Sequence, residues 1–109
     1  MLSDNARRVL EKRYLARDAQ GNVTEDIEGL FRRVANTIAE VDAQYDDADM
    51  VKETAERFYG RLSNLQFMPN SPTLMNAGRP LGQLSACFVL PIPDSLEGII
   101  DAVKYAALI

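Results

Sequence analysis

Thr24-Glu-Asp-Ile-Glu-Gly-Leu-Phe-Arg-Arg-Val-Ala-Asn-Thr-Ile-Ala-Glu-Val41 decides the architecture of the first half of the chain. Ile27, Leu30, Phe31, Val34, Ile38 and Val41 recur at three- and four-residue steps, the period of a helix with one apolar face. A stripe of this kind packs against neighbouring helices. Thr24 stands where a cap is needed, with Glu25 and Asp26 favourable near the positive end of the helix. Upstream, Ser3 caps a first helix reaching to about residue 16. Asp18-Ala-Gln-Gly-Asn22 then reads as a turn, because Gly21 and Asn22 tolerate left-handed backbone. Downstream, Asp46-Asp47-Ala-Asp49 interrupts the pattern and caps a third helix with Val51, Ala55, Phe58, Tyr59 and Leu62 on its apolar face. Residues 1–65 are thus expected to form a small helical domain with short connections, carrying no site of their own.

The texture changes after Leu65. Phe67-Met-Pro-Asn-Ser-Pro-Thr-Leu-Met-Asn-Ala-Gly78 is rich in prolines and asparagines, and Pro69 and Pro72 each push the preceding residue away from helical backbone. It reads as a loop. Ala86-Cys-Phe-Val-Leu90 is a short apolar run bounded by Pro91 and Pro93, and its length and flanks favour a buried strand. Asp94-Ser95 is a capping pair for a last helix over 95–109, with Leu96, Ile99, Ile100, Val103 and Ala107 on its apolar face. That helix meets no stop signal before Ile109, so the chain reads as cut rather than finished.

Composition narrows the function classes. The chain has 109 residues, 47% of them apolar and 26% charged, as in a soluble globular domain. A formal charge of -4 argues against a nucleic-acid-binding face. The basic pairs Arg7-Arg8, Lys12-Arg13 and Arg32-Arg33 are expected on solvated helix surfaces. No apolar run approaches the roughly 18 residues of a membrane span, and the opening residues lack a signal-peptide core. A single cysteine, Cys87, forms no internal disulfide framework, which makes a reducing cytoplasm the default compartment. Histidine is absent. Chemistry here would rest on Cys87, on carboxylates or on backbone groups.

Three features could carry such chemistry, and each has a plainer reading. The loop Pro69-Asn70-Ser71-Pro72-Thr73 offers hydroxyl, amide and backbone donors to an anion, yet the same residues dominate ordinary turns. Cys87 sits in an apolar run where most free cysteines are inert. Pro93-Asp94-Ser95-Leu96 leads into a helix whose first amides could face a ribose, or could simply be capped.

Together, in their order and spacing, the three resemble one family. Residues 67–78, followed by Leu81-Gly-Gln-Leu-Ser-Ala-Cys-Phe-Val-Leu-Pro-Ile-Pro-Asp-Ser-Leu-Glu-Gly98, are similar to the start of the catalytic barrel in ribonucleotide reductase large subunits, nearest to the adenosylcobalamin-dependent class. Leu2-Ser-Asp-Asn-Ala-Arg-Arg-Val-Leu-Glu-Lys-Arg-Tyr-Leu15 and Phe31-Arg-Arg-Val-Ala35 resemble that family's N-terminal helical region. A resemblance of this length is far more specific than a short motif.

The resemblance implies a mainly α chain with a short β portion. Residues 1–65 would be a helical domain, and 66–109 the truncated start of an α/β barrel with its substrate loop, first strand and first helix. It further implies that Cys87 is one of two redox cysteines, and that Ser71 lies in the loop around the substrate diphosphate. Ser85 and Ala86 would line the same pocket, while Asp94, Ser95 and Leu96 would hold a deoxynucleotide effector. Adenosylcobalamin, a thioredoxin-type reductant and a homodimer formed through the last helix follow from the same likeness. The implied chemistry starts from a thiyl radical that takes the ribose 3′ hydrogen. The 2′ hydroxyl then leaves as water, and Cys87 and its partner supply two electrons. A fragment holding only one of the required cysteines is expected to be inactive alone. Other readings are a helical interaction module, a one-cysteine redox protein, and a large subunit that draws its radical from a separate metal-containing protein.

Overall fold

Helix α2 (Ile27–Ala39) forms the centre of the packed part of the molecule, where the apolar stripe predicts it. The structure, a computed structural model, describes residues 2–45 and 47–109. The cap of α2 is Asp26 rather than Thr24: the Asp26 carboxylate accepts the Gly29 N–H at 2.7 Å. Thr24 is engaged elsewhere, its backbone N–H and its hydroxyl both donating to the Ala16 carbonyl at 2.9 and 3.1 Å. These bonds close the loop that returns the chain from α1 to α2.

Helix α1 (Asp4–Arg13) starts on Ser3, whose hydroxyl accepts the Ala6 N–H at 3.2 Å. It ends three residues earlier than its pattern suggests. The Leu15 N–H turns back to the Leu10 carbonyl, and both leucines enter the core, which pulls the chain off the helix axis. In the following turn Gly21 has φ +87°, as its position there predicts. Asp18 accepts the N–H groups of Gln20 and Asn22 and the Asn22 side-chain amide. The bonds from Asn22 hold the Asp18 carboxyl below its ordinary pKa. Arg17 and Val23 form one isolated antiparallel bridge across this loop.

A 3-10 turn, Glu40–Gln44, follows α2. Val41 lies exposed in it, so the stripe ends at Ile38. Asp47 caps α3 (Ala48–Ser63) by accepting the Asp49 and Met50 N–H groups at 3.0 Å each, whereas Asp46 lies outside the described residues. Helix α3 packs along α2 through Leu62 and Tyr59. Arg32 covers the Tyr59 ring at 3.6 Å and pairs with Glu56.

The segment expected as a plain loop holds a short helix, α4 (Ser71–Asn76). Asn70 caps it by accepting the Thr73 N–H at 3.0 Å, and Pro72 falls in the first turn, where a missing N–H costs nothing. Leu74 and Ala77 carry α4 into the shared core of Leu10, Leu15, Leu30, Phe31, Val34 and Leu62.

The predicted strand at 86–90 does not form, and no strand occurs among the described residues. An extended segment becomes a strand only by exchanging ladder bonds with a neighbour, and none of the described residues supplies one. Nor is the run buried: Phe88 is 48% and Val89 96% exposed. The mainly α part of the expectation therefore stands, and the β portion is absent here. Helix α5 (Leu96–Leu108) begins at the predicted Ser95 cap, whose hydroxyl accepts the Gly98 N–H at 3.1 Å. Only Ala102 of this helix is buried. The radius of gyration, 17.8 Å, exceeds the roughly 13 Å of a compact chain of this length, in keeping with an α5 that lies outside the shared core.

Candidate active site

The candidate substrate segment is held to the helical core by a charged clamp. Arg33, on α2, donates from Nε and Nη2 to the two oxygens of Glu25 at 3.0 and 2.8 Å. Its Nη1 and Nη2 also reach the carbonyls of Ala77 and Leu74 at 2.6 and 3.2 Å, satisfying groups that the end of α4 leaves open. Glu25 in turn accepts the Ala16 N–H at 2.8 Å. One ion pair thus joins the exit of α1, the body of α2 and the end of α4.

The side chains of Arg33 and Glu25 are only 15% and 12% exposed. Burial pushes the Glu25 carboxyl up, but the bonds from Arg33 and Ala16, with the charges of Arg33 and Arg79, pull harder and set it below its ordinary value. This corrects the expectation for Arg33, which is not a solvated surface residue although Arg7, Arg8, Lys12 and Arg13 are exposed. The sequence hint was slight: an acidic residue eight positions earlier, just ahead of the stripe. Gly78 packs against the clamp with φ +69°, and a Cβ there would meet the Thr37 hydroxyl at 2.6 Å.

One face of α4 grips the next segment. The Asn70 amide and the Thr73 hydroxyl donate to the Leu84 carbonyl at 3.4 and 3.3 Å, and the Asn76 amide donates to the Gln83 carbonyl at 3.0 Å. The polar residues that read as donors to an anion are thus partly spent on backbone, at a three-residue spacing that serves one helix face. Ser71 is different. It is the first residue of α4, exposed, and its hydroxyl shares a hydrogen bond of 2.7 Å with the Tyr14 hydroxyl at the end of α1.

Ser85, Ala86 and Cys87 follow in sequence directly on the gripped Leu84. All three are exposed, and the Cys87 thiol is free. Asp94, Ser95 and Leu96 lie further along, at the start of α5 and equally exposed, with the Ser95 hydroxyl engaged in capping. The expected sites thus fall into two groups, one anchored by α4 and one at the head of α5. A cleft of about 680 Å³ opens between α2, α3 and the chain leading to α4, lined by Val34, Ile38, Phe58, Leu62 and Phe67 among others. It contains neither a thiol nor a carboxylate. Among the described residues no group of three or more His, Cys, Asp or Glu is placed to hold a metal ion.

Comparison with known proteins agrees with this anatomy. The family profile "Ribonucleotide reductase, all-alpha domain" matches residues 1–82. The vitamin B12-dependent ribonucleoside-diphosphate reductase of Mycobacterium tuberculosis is 48% identical over 99 residues, covering 91% of this chain and 14% of that protein. The protein of the same name from Thermoplasma acidophilum is 37% identical over 162 residues, covering 99% of this chain and 21% of its own length. The ribonucleoside-diphosphate reductase large subunit of Arabidopsis thaliana is 40% identical over 103 residues, with 94% and 11% covered. The chain therefore spans between 11% and 21% of the length of these relatives. With the profile covering the whole packed helical unit, the chain belongs to the ribonucleotide reductase family through its all-alpha domain.

Proposed function

We propose that this chain is the N-terminal part of the large subunit of a vitamin B12-dependent reductase that converts ribonucleoside diphosphates to deoxyribonucleotides. The observation that carries the proposal is the 48% identity to the Mycobacterium tuberculosis enzyme of that name over 91% of this chain. In this reading residues 1–65 are the helical domain and 66–109 begin the catalytic barrel.

Cys87 supplies one of two thiols. Overall, a ribonucleotide and a dithiol give a deoxyribonucleotide, a disulfide and water: the thiols give up two electrons as the sulfur–sulfur bond forms, and the 2′ hydroxyl leaves protonated. An exposed thiol on an extended segment suits a group that must meet both the ribose and a second cysteine of the complete protein. Ser71, Ser85 and the backbone at Ala86 serve as donors to the bound nucleotide. Asp94, Ser95 and Leu96 contact a deoxynucleotide effector. The exposed face of α5 meets a second subunit, a thioredoxin-type protein restores the dithiol, and the enzyme works in the cytoplasm.

The chain has no histidine to offer a cobalt ion, and none of its residues is assigned to the cofactor. The cofactor's contacts belong to the rest of the complete protein.

The test is multiple-turnover reduction of a ribonucleoside diphosphate by the complete protein with adenosylcobalamin and a dithiol. Wild type should turn over only when adenosylcobalamin is added, and Cys87→Ser should show no turnover above background. Turnover without the cofactor would sink the B12 assignment, and an active Cys87→Ser enzyme would sink the role of the thiol.

A further inference from the structure

We propose that Tyr14 is a positioning residue for substrate, acting through Ser71; this rests on the reading above that Ser71 contacts the phosphate end of the nucleotide. Tyr14 closes α1, its N–H bonded to the Leu10 carbonyl at 2.9 Å and its ring packed against the hydrophobic core. Its hydroxyl stands 2.7 Å from Ser71 Oγ, across 57 residues of sequence. The chain is held on the side that leads away from α1. Leu15 is buried, and the Ala16 N–H is held by Glu25, which the Arg33 clamp ties to the far end of α4. Helix α4 is therefore gripped at its end by Arg33 and at its start by Tyr14.

Ser71 has no other hydrogen-bond partner for its hydroxyl among the described residues. An exposed serine otherwise samples three staggered rotamers. Holding one of them removes up to about a threefold loss of competent population, and a neutral hydrogen bond that orients the hydroxyl adds a factor of a few. The group that benefits is the one proposed to meet the substrate, so the effect falls on binding and not on the rate of the chemical step.

The experiment is steady-state reduction of a ribonucleoside diphosphate by the complete enzyme carrying Tyr14→Phe, Ser71→Ala or both changes. Phenylalanine keeps the packed ring and removes only the hydroxyl, and Ser71→Ala breaks the same bond from the other side. Tyr14→Phe should raise KM about 3- to 10-fold with kcat within about twofold of wild type. Ser71→Ala should raise KM at least as much, and the double variant should be no worse than Ser71→Ala. A wild-type KM in Tyr14→Phe beside a raised KM in Ser71→Ala overturns the positioning role alone, as does full additivity in the double variant. An unchanged KM in Ser71→Ala overturns the substrate-loop reading itself, and the role of Tyr14 with it.

Discussion

Helices α2 and α5 are each 13 residues long, each carries an apolar face at helical spacing, and each begins on a side-chain cap. Their fates differ. Leu30 on α2 is fully buried, while Ile100 on α5 is 60% exposed. Helix α2 is covered by α1, α3 and α4 and is pinned by the Arg33–Glu25 pair, whereas among the described residues nothing comparable covers α5. An amphipathic stripe therefore specifies a helix and a face, but the surface that covers the face comes from elsewhere. The chain up to Ala77 supplies the cover for its own apolar stripes. Beyond Leu81 the apolar face of α5 is left open among the described residues.

The largest expected effect tests the packed side of that contrast. Leu30→Ala deletes most of a fully buried side chain at the meeting point of the helices and should cost about 2–5 kcal/mol, the range for cavities that relax poorly. Hydrogen exchange of the α2 amides in the complete protein reads this loss locally. A cost below about 1 kcal/mol would mean that this core collapses around the cavity and is not tightly packed.

Arg33→Met tests the clamp, with an effect next in size. It leaves Glu25 without its cation and the carbonyls of Leu74 and Ala77 without a donor. The expected cost is about 2 kcal/mol, below the roughly 3–5 of a fully buried pair because both side chains keep an edge in water. Exchange should quicken most in α4, whose carbonyls lose their partner. Acid provides a second reading of the same pair. Because the folded pKa of Glu25 lies below its ordinary 4.5, the unfolded chain binds more protons between the two values, and stability rises with pH there. The contribution is complete above about pH 4.5 and is lost as pH falls through the folded pKa. In Arg33→Met that acid-dependent loss should shrink, since burial then opposes only the Ala16 bond and the Arg79 charge.

The sequence carries the helical half well because its signals are local. The stripe of α2, Ser3 ahead of α1, Asp47 ahead of α3 and Ser95 ahead of α5 act within four residues of themselves. Helix α4 is illegible for a physical reason: Asn70 and Pro72 suit a turn and a helix start equally, and six residues are too few to show a period. The run at 86–90 has the composition of a strand, but a strand is a property of two segments and only one is present. Arg33–Glu25 and Tyr14–Ser71 depend on the packing of α1 and α4 onto α2, so no spacing rule announces them. The candidate site is legible as residue types in order. Its anchoring to α4 is visible only in the fold.

Ile100→Ser should produce the smallest change in the folded chain and is the sharpest test of the open side. Ile100 contributes little to a core it barely touches, so exchange within α1 to α4 should shift by less than about 0.5 kcal/mol. The consequence should appear instead in the complete protein. If the exposed face of α5 meets a second subunit, replacing an apolar side chain at its centre with a hydroxyl weakens association while leaving the helical domain unaltered. Sedimentation of the complete protein over a dilution series would show dimers dissociating at higher concentration than in wild type. An equal loss of protection in α1 to α4 would contradict the contrast itself, since it would make α5 part of the core that Leu30 represents.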